Sequence, residues 1–131
     1  MKSKKIGLAW PGLALLVIGL TGSAALAQAG FVTVDGAKLE AMMADGKPMT
    51  VVDVREPELF AKGHIKGAIN IPYDTAKPRI LKELSPKDRI MFVCHGGPMG
   101  DELGKLLVKN GYQDVYNLAG GMNKWKGAVV K

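Results

Sequence analysis

Short runs rich in β-branched residues alternate along this sequence with segments whose apolar residues recur at helical spacing. Five runs are predicted as strands, and they read FVTV, MTVVDV, AINIP, RIMFVC and DVYNL. Between and after them lie the helical patterns GAKLEAMMADG, EPELFAKG, TAKPRILKELS, DELGKLLVKNG and GGMNKWKG. Strands that alternate with helices predict an α/β domain with a mostly parallel sheet. The run IMFVC has no polar alternation, which indicates a central strand buried on both faces.

The first 27 residues are predicted to be a signal peptide that precedes this domain. MKSKK gives a positively charged start, the apolar run IGLAWPGLALLVIGLTGSAALA follows, and ALAQA offers small residues at the spacing of a cleavage site. We expect cleavage after Ala27 or Ala29, which leaves residues 30–131 as one domain, periplasmic or secreted and free of the membrane. The alternative is an uncleaved membrane anchor, since the apolar run approaches the roughly 20 residues that span a bilayer.

The basic charge of the chain belongs partly to this leader. The 131 residues carry a formal charge of +6, and removal of Lys2, Lys4 and Lys5 with the leader would lower that charge by three. The remaining lysines are scattered among acidic residues, without the clusters and interleaved aromatic side chains that follow a phosphate backbone. The sequence therefore argues against a nucleic-acid partner.

Cys94 is the only cysteine, so an exported form of the chain cannot contain an internal disulfide. It closes the run IMFVC, where a small buried residue is the common interpretation. The next six residues, however, include three glycines and a proline, a backbone more permissive than a structural strand-to-helix turn requires. We predict that this turn lies at the carboxyl edge of the sheet, where open parallel sheets bind their ligands.

The residues after Cys94 predict a site for an anionic sulfur. A helix is expected over residues 101–111, and the backbone N–H groups before its first turn have no intrahelical acceptor. Gly96, Gly97 and Gly100 allow the backbone to curl, so that several of these N–H groups could converge on one point. A thiolate or a persulfide held at that point would be stabilised as a nucleophile.

Two segments, TVVDVREPELFAKGHIKGAINIPYD and RIMFVCHGGPMGDELGKLLVKNGYQDVYNLAGGMNKWKG, resemble the rhodaneses, a family of sulfurtransferases with an active cysteine in the loop after the central strand. The resemblance extends from about Val32 to Trp125. It rests on the DVR strand end with GHIKGAINIP, on the cysteine loop and on LAGGMNKW, in the family's order. It implies a single-domain rhodanese with a five-stranded, mostly parallel sheet and helices on both faces, and it implies no cofactor.

Matched position by position, the resemblance implies that Cys94 takes up a sulfane sulfur as a persulfide and passes it to cyanide or to a thiol. The loop that would bind the donor comprises His95, Gly96, Gly97, Pro98, Met99 and Gly100. Asp53 and Arg55 match the family's DVR motif and would support the site from the neighbouring strand. Gly120 and Gly121 would shape the turn beside the pocket.

Met99 departs from the family pattern. Many rhodaneses have an arginine five residues after the cysteine, where its guanidinium would bind an oxyanion such as thiosulfate. No Lys or Arg lies between Cys94 and Lys105, and Asp101 and Glu102 add negative charge. We therefore expect thiosulfate to be a poor donor, and persulfides, polysulfides or other less anionic donors to react faster. A cysteine phosphatase is excluded, because it needs a longer loop that ends in an arginine.

Other functions are compatible with these residues. The domain could carry sulfur to the thiol of a partner protein, or it could be a rhodanese-like binding module, although the cysteine and the loop glycines argue against a module without chemistry. Cys94, His95 and Met99, with His64 nearby, could bind copper. A cradle of N–H donors repels a cation and the spacing matches no copper motif, so no metal site is predicted. His95 could favour the thiolate by its charge or transfer a proton, or it could be a solvated loop residue.

Overall fold

The computed structural model describes residues 30–131, in which five strands alternate with five helices. The strands are β1 (Gly30–Val34), β2 (Thr50–Asp53), β3 (Ile69–Asn70), β4 (Ile90–Val93) and β5 (Asp114–Leu118). The helices are α1 (Gly36–Ala44), α2 (Pro57–Lys62), α3 (Tyr73–Glu83), α4 (Pro98–Lys109) and α5 (Gly121–Lys124). Every strand and helix that the sequence predicts in this range is present, with its ends displaced by a few residues.

The predicted leader, its two cleavage positions and the anchor alternative lie outside the described residues. Over residues 30–131, no helix combines the length and the apolar character needed to cross a bilayer.

The strands form one sheet in the order β1-β5-β4-β2-β3, and each neighbouring pair is parallel. Strand β4 therefore lies in the centre, with β5 on one side and β2 on the other. Asp53 at the end of β2 is paired with Val93 at the end of β4, so both strands end at the same edge of the sheet. The parallel sheet predicted from the alternation is confirmed, and its central strand carries Cys94 directly to that edge.

Side chains of β4 alternate between two cores, one on each face of the sheet. The core beneath α3 and α4 contains Ile80, Ile90, Phe92, Cys94, Leu103 and Leu107. The core on the opposite face, beneath α1, contains Leu39, Met42, Met91, Val93 and Leu118. All four residues of β4 are buried, as the unbroken apolar run predicts. Each large apolar side chain buried in this way stabilises the fold by about 1.5–3 kcal/mol, so the strand that positions the cysteine is held from both sides.

Helix α4 begins at Pro98, three residues before the start predicted at Asp101. Proline suits a first turn because an N–H at that position has no intrahelical acceptor. Gly97 precedes it with φ of 121°, a conformation that residues with a Cβ rarely adopt. The loop after the strand therefore spans only residues 94–97, and residues 98–100, predicted as loop, belong to the helix.

Candidate active site

The thiol of Cys94 lies at the carboxyl end of β4, against the start of α4. The residue is 1% exposed, and its Sγ accepts a hydrogen bond from the backbone N–H of Gly97 over 2.9 Å. Cys94 is thus packed in the core beneath α3 and α4 and is also bonded to an N–H group that can stabilise an anion.

Helix α5 holds the loop from the other side. The N–H of Met122 donates to the carbonyl oxygen of Cys94 over 2.7 Å, and the N–H of Asn123 donates to that of His95 over 2.9 Å. Gly120 and Gly121, with φ of 71° and 52°, form the turn that brings these donors into place. The turn predicted beside the pocket therefore contacts the main chain of the cysteine loop.

Asn117 on β5 fixes the carbonyl group of Gly97, the residue whose N–H faces the sulfur, and no sequence pattern had pointed to it. Its side chain is buried, and its Nδ2 donates to the carbonyl oxygen of Gly97 over 2.9 Å. Gly100 permits this approach, because a Cβ there would lie 2.1 Å from Asn117 Oδ1. Gly100, predicted as part of the donor-binding loop, thus serves close packing between α4 and β5. An amide between Tyr116 and Leu118, near the end of the predicted strand DVYNL, was the available signal.

Asp53 and Arg55 form a buried ion pair beside the end of β2. Arg55 Nη2 and Nε lie 2.7 Å and 3.1 Å from Asp53 Oδ2, and Nε also lies 3.0 Å from Oδ1. The same Nη2 donates to the carbonyl oxygen of Gly63 over 2.8 Å, which fastens the end of α2. The pair therefore fixes the segment that follows β2.

The segment between Asp53 and Arg55 reaches the cysteine strand through its main chain. The N–H of Val54 donates to the carbonyl oxygen of Val93 over 2.9 Å. Asn70 on β3, which the sequence analysis also missed, donates from Nδ2 to the carbonyl oxygens of Asp53 and Arg55, each over 2.9 Å. In this structure, the DVR motif supports the site by fixing the backbone next to Cys94.

Glu56 brings a carboxylate to the loop, and the sequence analysis did not predict it. Its Oε2 lies 2.7 Å from Nε2 of His95, the residue next to Cys94. The pKa of Glu56 lies below its usual range, first because the backbone N–H of Glu56 itself bonds to the carboxylate and then because of the hydrogen bond with His95. His95 therefore has a fixed partner, which a merely solvated loop residue would lack.

A small cavity of about 60 Å³ lies beside the loop. Its walls are Val54, Glu56, Pro57, Pro72, Tyr73, Asp74 and Met99. Met99 and Tyr73 also pack against the core that contains Cys94. Met99 therefore lies where the cavity and the cysteine core meet, and two of the seven residues around the cavity, Glu56 and Asp74, are acidic.

The sequence suggested that the two acids near the start of α4 add free negative charge, but both are paired in the structure. Asp101 lies 2.9 Å from the Nζ of Lys105, one helical turn further on. Glu102 accepts from the Nζ of Lys77 over 2.7 Å and from the hydroxyl of Tyr73. These partners, Lys77 first and Tyr73 second, lower the pKa of Glu102. Pairing across α3 and α4 depends on the tertiary structure, which sequence spacing does not give.

His64 lies with α2 and serves structure. Its ring stacks on Phe60 with centroids 3.7 Å apart, and its Nδ1 lies 2.8 Å from the Phe60 carbonyl oxygen. Its main chain pairs with Val130 in an antiparallel bridge. Across residues 30–131, no group of three or more His, Cys, Asp or Glu side chains is placed to hold a metal ion.

A family model for the rhodanese-like domain matches residues 35–128, which include all five helices and four of the five strands. This chain belongs to the rhodanese-like domain family. The rhodanese-like fold predicted from the resemblance is confirmed, with a sheet that is wholly parallel. A rhodanese-like domain protein of Staphylococcus aureus has a similar crystal structure, with a TM-score of 0.68 and 32% identity over 76% of this chain and 98% of that one.

Two curated relatives of this rhodanese-like domain carry functional names. PspE, a thiosulfate sulfurtransferase of Escherichia coli, is 38% identical over 70 residues, which are 53% of this chain and 67% of PspE. YrkF, a candidate sulfur carrier protein of Bacillus subtilis, is 34% identical over 79 residues, which are 60% of this chain. The chain spans only 42% of YrkF and 62% of YqhL, another Bacillus subtilis relative.

Proposed function

We propose that this rhodanese-like domain is a sulfurtransferase, in which Cys94 accepts a sulfane sulfur as a persulfide and passes it to a thiol or to cyanide. The observation that carries the proposal is the hydrogen bond of 2.9 Å from the N–H of Gly97 to the Sγ of Cys94. This donor belongs to the backbone and is already in place, so it can stabilise the thiolate before the transfer. The relation to PspE supports the same class of reaction.

Two displacements complete the proposed cycle. The Cys94 thiolate attacks the sulfane sulfur of the donor, so that a new S–S bond forms while the donor's S–S bond breaks. The donor leaves with the electron pair of that bond, as sulfite from thiosulfate or as a polysulfide shortened by one sulfur. The acceptor thiolate or cyanide then attacks the terminal sulfur of the persulfide, and Cys94 leaves as the thiolate. The cycle therefore needs no further oxidant or reductant.

We further propose that the preferred donors carry little negative charge. Met99 lines the cavity at the position where many rhodaneses have arginine, and Glu56 and Asp74 line the same cavity. A dianion such as thiosulfate would approach two carboxylates without a guanidinium from position 99, and like charges at short range repel. Persulfides and organic polysulfides, whose sulfur chains carry at most one negative charge, meet a smaller penalty.

Intact-protein mass spectrometry tests the proposed reaction. Residues 30–131, with Cys94→Ser as the matched control, are exposed separately to thiosulfate and to polysulfide. We expect a gain of one sulfur atom that is absent from the serine variant and is removed by cyanide, with faster loading from polysulfide. If no donor adds sulfur to a thiol that alkylating reagents still modify, the proposed chemistry is wrong.

A carrier role is the second candidate, and the similarity to YrkF favours it. Enzyme and carrier share the persulfide on Cys94 and differ in the acceptor. Repeated turnover with cyanide or with a small thiol such as glutathione indicates an enzyme. A loaded domain that transfers sulfur only to the thiol of a partner protein indicates a carrier.

Export is also part of the proposal. The positive start, the apolar run and the small residues before Gly30 support a cleaved signal and a periplasmic or secreted domain. N-terminal sequencing of the protein made in its own host tests this assignment. A first residue at Gln28 or Gly30 fits cleavage after Ala27 or Ala29, and a first residue at Met1 contradicts it.

A further inference from the structure

Glu56, the hydrogen-bond partner of His95, borders the same cavity as Met99. The Glu56 carboxylate lies 2.7 Å from the His95 imidazole and also forms part of the cavity wall. The imidazole is therefore hydrogen-bonded to a residue of the cavity wall that Met99 also forms. The exposed fractions of the two side chains are 38% for His95 and 57% for Glu56, so both can respond to pH and to an entering donor.

We propose that the charge on His95, which is hydrogen-bonded to Glu56, determines whether anionic or weakly charged sulfur donors reach Cys94. In its protonated form the imidazole admits anionic donors such as thiosulfate, and in its neutral form it leaves the site to weakly charged donors. The inference rests on the proposed sulfurtransferase function and specifies the donor class of the same site. His95 would thereby supply, in a pH-dependent form, the cation that Met99 does not.

The charges around the cavity support this role. Its wall contains the carboxylates of Glu56 and Asp74 and no lysine or arginine. A proton on His95 offsets one of these charges, whereas a neutral imidazole leaves both uncompensated.

The other groups around His95 do not produce the same change. The charged and titratable residues on the neighbouring elements include Arg55, Glu56, Glu58, Asp74, Cys94, Asp101, Glu102 and Lys124. Carboxylates, lysine and arginine ordinarily keep their charge between about pH 5.5 and pH 8.5. The thiol of Cys94 is the exception, so an experiment must separate thiolate formation from the charge on His95.

Ratios of rates provide that separation. Iodoacetamide is neutral and reports how much thiolate is available at each pH. Iodoacetate has nearly the same shape and one negative charge, and thiosulfate carries two. The rate of loading from thiosulfate and the rate of alkylation by iodoacetate, each divided by the rate with iodoacetamide, should fall about three- to tenfold as the pH rises from about 5.5 to about 8.5.

Variants assign the change to the pair. His95→Asn should give low ratios that do not vary with pH, and His95→Arg should give high ratios throughout because its cation is permanent. Glu56→Gln should raise the ratios at high pH, because it removes one of the two carboxylates that repel an anionic donor. Glu58→Gln, an exposed carboxylate two residues away on α2, is the matched control and should follow the wild type.

Two outcomes would overturn the inference: ratios that stay flat in the wild type, or a fall that persists unchanged in His95→Asn. If the asparagine variant folds poorly, His95→Arg replaces it in the test. A ratio that still falls with pH in the arginine variant would also overturn the inference. The iodoacetate ratio does not require sulfur transfer. If no donor loads Cys94 at any pH, the proposed function is wrong, but the iodoacetate ratio still shows how the charge at the site changes with pH.

Discussion

The N–H of Met122 donates to the carbonyl oxygen of Cys94 over 2.7 Å, and this bond fixes the peptide that carries the reactive sulfur. Gly121 makes the approach possible. Its φ is 52°, and a Cβ at that position would lie 2.2 Å from the same carbonyl oxygen. The shape of the loop after β4 therefore depends on the turn between β5 and α5, which lies far from it in the sequence.

Gly121→Ala should displace the loop. We expect a loss of about 1–3 kcal/mol in the free energy of unfolding and a fall of about tenfold or more in the rate of sulfur loading, because the new methyl group overlaps the Cys94 carbonyl. Urea denaturation and mass spectrometry measure the two effects. Gly46→Ala is the matched control: its φ of 76° imposes similar backbone strain, but nothing lies within 4 Å of the added Cβ. Equal loading rates in the two variants would contradict the predicted displacement.

Met99→Arg should lower the KM for thiosulfate by about tenfold, because a guanidinium beside the cavity carboxylates would bind the dianion. Steady-state rates with cyanide as acceptor measure this change. Met43→Arg adds the same charge on α1, at an exposed methionine outside the cavity wall, and should leave KM unchanged. A KM that falls equally in both variants would indicate a general effect of net charge.

Arg55→Leu should destabilise the domain by about 3–5 kcal/mol, because it leaves the buried Asp53 carboxylate without its partner. Arg79→Ala is the contrast, since it breaks an exposed pair with Glu83 on α3 and should change the free energy of unfolding far less. Urea denaturation measures both losses. Similar losses in the two variants would mean that the Asp53–Arg55 pair does not fix the segment after β2.

Acid should weaken a second ion pair, between Asp45 and Arg89. Hydrogen bonds from Arg89 lower the pKa of Asp45 from 3.8 to about 2. Because the folded pKa is below the unfolded one, the stabilisation is complete above about pH 4 and is lost as the pH falls through about 2. Urea midpoints over this range should therefore decline less steeply in Asp45→Asn. An unchanged slope would assign the acid sensitivity to other carboxylates.

The sequence predicted the fold and the position of Cys94 because both depend on local patterns. Hydrophobic periodicity located the strands and helices, and the glycines marked the turn at the sheet edge. The contacts from Glu56, Asn70 and Asn117 were missed because each joins residues far apart in the sequence, and a single sequence gives no distance between them. The early start of α4 was missed because Pro98 was interpreted as a loop residue, although proline is common in the first helical turn.

The bonds around the cysteine loop come from three other parts of the chain. Val54, Asn117 and Met122 each contribute a bond to β4 or to the loop after it. Parallel pairing between distant segments is slow to form during folding. Until β2 and β5 have docked, the loop that carries Cys94 lacks these bonds. The alkylation rate of Cys94 during refolding should therefore change as these segments dock, and pulse labelling of that one sulfur atom would follow their arrival.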